Sequence, residues 1–166
     1  PIYTREELFD FYQNYVAQGQ LIVHTASGVD VRWNDVDKLA LTYCVSKGFG
    51  ANYAAVAKAM NDAGAAWSHA ANVRFIHMTD QDDACTLMNS RVMFDVQPVS
   101  GQPYLARAFL PNGTRDKRNV LIDSSSFGSI APITLTGILR HELGRALGFR
   151  HEHTRPEAAK CFEDKD

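Results

Sequence analysis

The chain is 166 residues long, 45% hydrophobic and 22% charged, with a formal net charge of −2. That length suits one domain with a real core, and the composition is ordinary for a soluble globular protein. A near-neutral balance offers no basic face to nucleic acid or to an anionic membrane surface, and no run approaches the ~18 apolar residues that span a bilayer. No secretory leader is visible and the chain starts at Pro1 without Met, so a processed or trimmed product is expected.

Taken in order, Thr4 with Glu7 three residues later is a capping-box signature, and Leu8, Phe11, Tyr12 and Tyr15 recur at helical spacing. They predict a helix over 1–20, stopped at Gly19. Leu21, Ile22 and Val23 form a short strand-like run that Ser27 and Gly28 break. Leu39 to Val45 reads as a strand, closed by Gly48 and Gly50. Asn52 to His69 reads as an alanine-rich helix with Tyr53, Val56, Ala57, Met60, Ala63 and Trp67 along one side. Val73 to His77 is a second strand, Ser90 to Val96 a third, Tyr104 to Leu110 a fourth and Asn119 to Asp123 a fifth. A last helix runs from Thr134 to Leu147, with Thr134 or Thr136 as its cap. Helix after strand implies a right-handed crossover and a mainly parallel sheet.

The cysteines are Cys44, Cys85 and Cys161, an odd number. Cys44 falls in a strand and Cys85 in a loop, which suits a bridge between them and leaves Cys161 over. Three reduced thiols in a cytosolic protein are the alternative. A secreted chain is favoured, cut after Asp166, whose lost C-terminal remainder held the partner of Cys161.

The last helix carries the chemistry. With ~3.6 residues per turn, His141 and Arg145 lie one above the other on one face, with Glu142 beside them. Gly148 then allows a positive φ and a turn back, and His151 follows three residues on. His-Glu-x-x-His on a helix places two metal ligands, with a Glu to activate water; the longer His-Glu-x-x-His-x-x-Gly-x-x-His adds a third ligand. This chain matches at His141, Glu142, Gly148 and His151 and departs at one position, where Arg145 replaces the second ligand.

From about residue 31 onward the motif and the order of elements resemble the metzincin zinc endopeptidases, the run 148–153 being most similar to their astacin-like and bacterial HEIGH-type members. The resemblance implies an α+β fold: a twisted, five-stranded, mostly parallel sheet with one antiparallel edge strand, and two long helices, the second bearing the metal motif. It implies zinc held by His141 and His151, and Glu142 as the base that takes a proton from metal-bound water as the water attacks a peptide carbonyl. Substrate would pair with an edge strand at Tyr104, Ala106, Arg107 and Ala108. It also implies a methionine-containing turn beneath the metal, and none of Met60, Met78, Met88 or Met93 lies beyond the helix. Residues 1–30 would be an N-terminal extension of the pro-segment kind, Asp30 being a latency carboxylate or a simple surface turn, and 31–166 a catalytic domain ending before that turn.

A guanidinium has no lone pair for a metal and is always charged. Arg145 therefore implies weak or absent zinc and an inactive or impaired peptidase. Three readings of it stand: an engineered silencing, a pseudoprotease that binds or inhibits without cutting, or a rearranged site using His153, Glu152 or Asp30. A single change in an otherwise intact motif favours the first. Elsewhere, His24, His69 and His77 read as satisfied or exposed. Asp80, Asp82 and Asp83 read as solvated, Ser124 to Ser126 lack a paired base, and the run from Arg115 to Arg118 reads as a solvated turn. The expected partners are peptides or proteins, with no nucleic acid and no membrane.

Overall fold

The computed structural model describes residues 23–128 and 134–150. The helix expected over 1–20, His151, Glu152, His153 and Cys161 lie outside the described residues. The chain divides into two compact units, one formed by Val31–Gly148 and the other by Pro1–Asp30 with Phe149–Asp166. In the second of these, β1 (Thr25–Ala26) and β2 (Val29–Asp30) make a small antiparallel hairpin. Its turn residues Ser27 and Gly28 have φ of 52° and 77°, the double positive φ that a tight two-residue hairpin loop requires. Val23 forms an isolated bridge with Phe149.

The larger unit is built on a five-stranded sheet in the order β4-β3-β5-β7-β6. Its strands are β3 (Leu41–Val45), β4 (Phe75–His77), β5 (Phe94–Val99), β6 (Ala106–Arg107) and β7 (Asn119–Asp123). Pairing is parallel from β4 through β7, and only β6 runs antiparallel. The α+β architecture expected from the sequence is the one observed. Strand limits differ: β5 runs to Val99 rather than ending at Val96, and β6 has two residues rather than seven. Pro98 is tolerated in β5 because β5 pairs with β3 only as far as Val96, so its missing N–H falls past that ladder.

Alternation gives the sheet two different faces. On one, Tyr43 stacks between His77 and Phe94, with ring centroids at 5.0 and 5.3 Å. Leu41, Val45, Val96, Val120 and Ile122 extend this buried layer. Helix α1 (Tyr53–Ala70) buries Val56, Ala59, Met60, Ala63 and Gly64. Its seat on the sheet is close, since a Cβ on Gly64 would stand 2.9 Å from the Cβ of Phe75. The other face carries Cys44, disulfide-bonded to Cys85 with Cα atoms 5.5 Å apart, packed with Val92 and Met78.

Two polar ties lock this sheet, and both overturn a solvated reading. Asp82, in the 3-10 turn Thr79–Ala84, has a side chain with no exposure. It accepts from the Val45 amide at 2.7 Å and from the Tyr53 hydroxyl, and both its oxygens lie 3.0 Å from His77 Nε2. Bonding to Asp82 pushes the Tyr53 hydroxyl pKa up, while burial and then the Asp82 charge push Tyr43 up. Arg115 meets buried Asp95 at 2.7 Å and donates to the Asn89 and Val92 carbonyls. Arg118 lies over the Trp33 ring and donates to the Pro111 carbonyl. Buried carboxylates need such saturation, because an unpaired charge out of water is costly.

Candidate functional site

Helix α2 (Leu135–Ala146) positions the motif. Thr134, rather than Thr136, caps it: its hydroxyl accepts from the Gly137 amide at 3.1 Å. Ile138, Leu139, Leu143 and Ala146 are buried and fix the helix on the core. Gly144 faces α1, where an added Cβ would stand 3.0 Å from the Trp67 ring. Trp67 Nε1 donates to the Arg140 carbonyl at 2.7 Å, which holds the two helices in register.

The C-terminal end of α2 is held as firmly. Trp33 Nε1 donates to the Ala146 carbonyl at 2.7 Å, and the Gly148 amide returns to the Arg145 carbonyl at 2.8 Å. Gly148 has φ +106°, and a Cβ there would lie 2.2 Å from the Val31 carbonyl oxygen. Only glycine fits that turn. Arg145 lies in the last turn of the helix, where a cation complements the helix dipole.

On this helix His141 is exposed, Glu142 is buried at 6% exposure and Arg145 is half-buried. The spacing places 145 one turn on from both 141 and 142, while 141 and 142 themselves point to different sides of the helix, one exposed and one buried. Edge strand β6 runs against α2 and ends the order of the described sheet. Within it Ala106 pairs with Ile122 and Arg107 with Leu121; Tyr104 is half-buried and Ala108 is buried. Asp30 is exposed at the end of β2, in the other unit.

Beyond β7, Asp123 accepts from the Gln102 and Ser125 amides and from the Ser125 hydroxyl, at 2.8–2.9 Å, which holds its pKa below the usual carboxylate range. Ser126 donates to the Leu105 carbonyl at 2.6 Å. These hydroxyls are committed to loop structure, in keeping with the absence of a paired base in the sequence.

Among the described residues no group of three or more His, Cys, Asp or Glu side chains gathers as a metal site. At the two helix positions of the pattern the donor set is one imidazole and one guanidinium. That set does not fit a three-histidine zinc site. Sequence reasoning missed Trp33, Asp82 and Arg115 as positioning residues, because each has a decisive partner far away in sequence: Ala146 at 113 residues, Val45 at 37 and Asp95 at 20.

No protein-family model matches the chain, and no curated protein matches it in sequence. In three dimensions it is similar to High choriolytic enzyme 1, a hatching-enzyme zinc protease from the medaka fish Oryzias latipes, at TM-score 0.50 and 19% identity. The match covers 85% of this chain and 59% of that one. At that identity the likeness is one of fold alone, an α+β arrangement with a five-stranded, mostly parallel sheet, and the chain spans under two thirds of that protein.

Proposed function

We propose that this chain is a metzincin-type endopeptidase scaffold whose metal site is disabled at Arg145. The observation that supports it most is the end of α2: His141 and Arg145 one turn apart, Glu142 buried beside them, and a turn at Gly148 that only glycine can make. A positive-φ glycine and a basic last turn also occur at structural helix ends; the His141–Glu142 pair one turn before Arg145 is what such an end does not require. Likeness to a zinc protease at the level of fold supports the same reading.

In this proposal an extended peptide lies along β6 at Tyr104, Ala106, Arg107 and Ala108, adding a strand to the antiparallel edge. His141 and His151 are the remaining ligand positions, and Glu142 is the general base of the intact parent site. Zinc would supply an acidified water to such a site; with Arg145 in the second ligand position, this chain is a poor host for it. His153 and Asp30 are the substitute donors of the rearranged-site alternative. Residues 1–30 act as a pro-segment, and the Cys44–Cys85 disulfide fits an oxidising, extracellular location.

A non-catalytic peptide-binding or inhibitory module is the second reading, and Arg145, which has no lone pair for a metal, is compatible with it. The two separate on peptide hydrolysis before and after Arg145→His, in this chain and in one extended at its C-terminus. Cleavage only after the substitution supports an impaired peptidase. A His variant that neither takes up zinc nor cleaves, in both lengths, sinks the protease reading.

A further inference from the structure

We infer that Arg107 makes the edge strand selective for an extended peptide with an acidic residue at the position facing it. The inference rests on the reading that peptide adds to β6. Register fixes where the Arg107 side chain stands. Ala106 pairs with Ile122, on the sheet face that carries Tyr43 and α1. Arg107 pairs with Leu121 and so stands on the opposite face, the one with Cys44. It is exposed there, and among the described residues no acidic side chain pairs with it. The carboxylates of that face are already engaged. Asp123 is buried and bonded to the Gln102 and Ser125 amides, and Asp95 is held by Arg115.

The ladder fixes the rest. The Asp123 amide donates to the Leu105 carbonyl at 2.8 Å. In the alternation of an antiparallel ladder, Leu105 and Arg107 then turn their backbone groups toward β7, and Ala106 turns its N–H and C=O outward. A peptide antiparallel to β6 exchanges both bonds with Ala106. Its residue opposite Arg107 falls in a non-hydrogen-bonded pair, the closer kind, with Cα atoms ~4.5 Å apart and both side chains on one face. A carboxylate at that place meets a guanidinium that is always charged and can bind it through two N–H groups. The contact uses no residue of the His141–Arg145 motif, so selection is separate from cleavage.

The test is fluorescence anisotropy on the full chain, with labelled threonine-rich peptides of about nine residues that carry Glu, Gln or Lys at the centre. Such a peptide can slide along the edge by two residues at a time, so its one variable side chain finds its own register. The parent is expected to bind the Glu peptide about two- to fivefold tighter than the Gln peptide, with Lys weakest. Arg107→Glu should invert that order and Arg107→Gln should level it; the position is exposed, so neither change threatens the fold. The same preference for Glu in the parent and in Arg107→Gln would overturn the inference, because the acid then meets some other cation. Ala106→Pro tests the underlying reading, since it removes an outward N–H and spares the bonds to β7. It should weaken all the peptides alike, by about threefold or more. If no peptide binds the parent, or if Ala106→Pro changes nothing, the edge-strand reading fails and the inference with it. Peptides that Ala106→Pro weakens but that show no charge order overturn the inference and leave that reading standing.

Discussion

Asp82 and Glu142 are two buried carboxylates, both C-terminal to α1 in sequence, and their described surroundings differ in kind. Asp82 is enclosed by a backbone amide, a tyrosine hydroxyl and a histidine drawn from β3, α1 and β4. It ties three elements together and presents nothing outward. Glu142 stands on a helix beside an exposed histidine and a half-buried arginine, at spacings that match a metal motif in all but one position. A carboxylate that organises a fold is saturated by groups from several elements. In the proposed function Glu142 serves chemistry instead: it is set on a helix with other polar groups at helical spacing, and the contacts that hold that helix include Trp33, Trp67 and Gly148.

The sharpest way to break the α2 side of this contrast is at Gly148. Gly148→Ala puts a methyl group into the Val31 carbonyl at a φ that alanine resists, and should cost about 4 kcal/mol. Thermal unfolding should show a Tm lower by roughly 8–16 °C; an unchanged Tm would mean that the turn is not built as described. On the Asp82 side, Asp82→Ala strands the Val45 amide, Tyr53 and His77, at a cost of about 3 kcal/mol in urea unfolding. A loss below about 1 kcal/mol would demote that knot to a surface contact. Trp33→Phe removes one hydrogen bond from the end of α2 and should cost about 1 kcal/mol, visible as a small fall in the urea midpoint.

Acid offers a finer comparison. Asp123 has its pKa held down by two amides and a hydroxyl. Its contribution is therefore full above the unfolded value of ~3.9 and fades as pH falls through the lower folded value. The stability gap between parent and Asp123→Asn should be constant from pH 7 to about pH 5 and then narrow toward pH 2. A gap that stays constant to pH 2 would show that the carboxylate form is not what the loop holds.

Much of this was legible in the sequence because it is local. Thr134 capping α2, the helix of Tyr53–Ala70, β7 at its full length and the turn at Gly148 all follow from residues within a few positions of one another. Asp82, Arg115 and Trp33 were misjudged or missed for the opposite reason. An aspartate in an acidic run and an arginine in a mixed-charge turn read as solvated until parallel pairing sets β4 beside β3 and β5 beside β7. The shortness of β6 has a similar origin, since only Ala106 and Arg107 meet β7, whatever the alternation of the longer segment.

On the proposed function, Arg145 alone separates this helix from a zinc site. That separation is tested most directly by the elemental zinc content of the purified chain beside Arg145→His, each equilibrated with zinc and then freed of excess. About one zinc per chain is expected in the His variant and little in the parent, as three histidine ligands suffice and two do not. Equal zinc in both would contradict it, and would assign the metal to a donor set in which position 145 has no part.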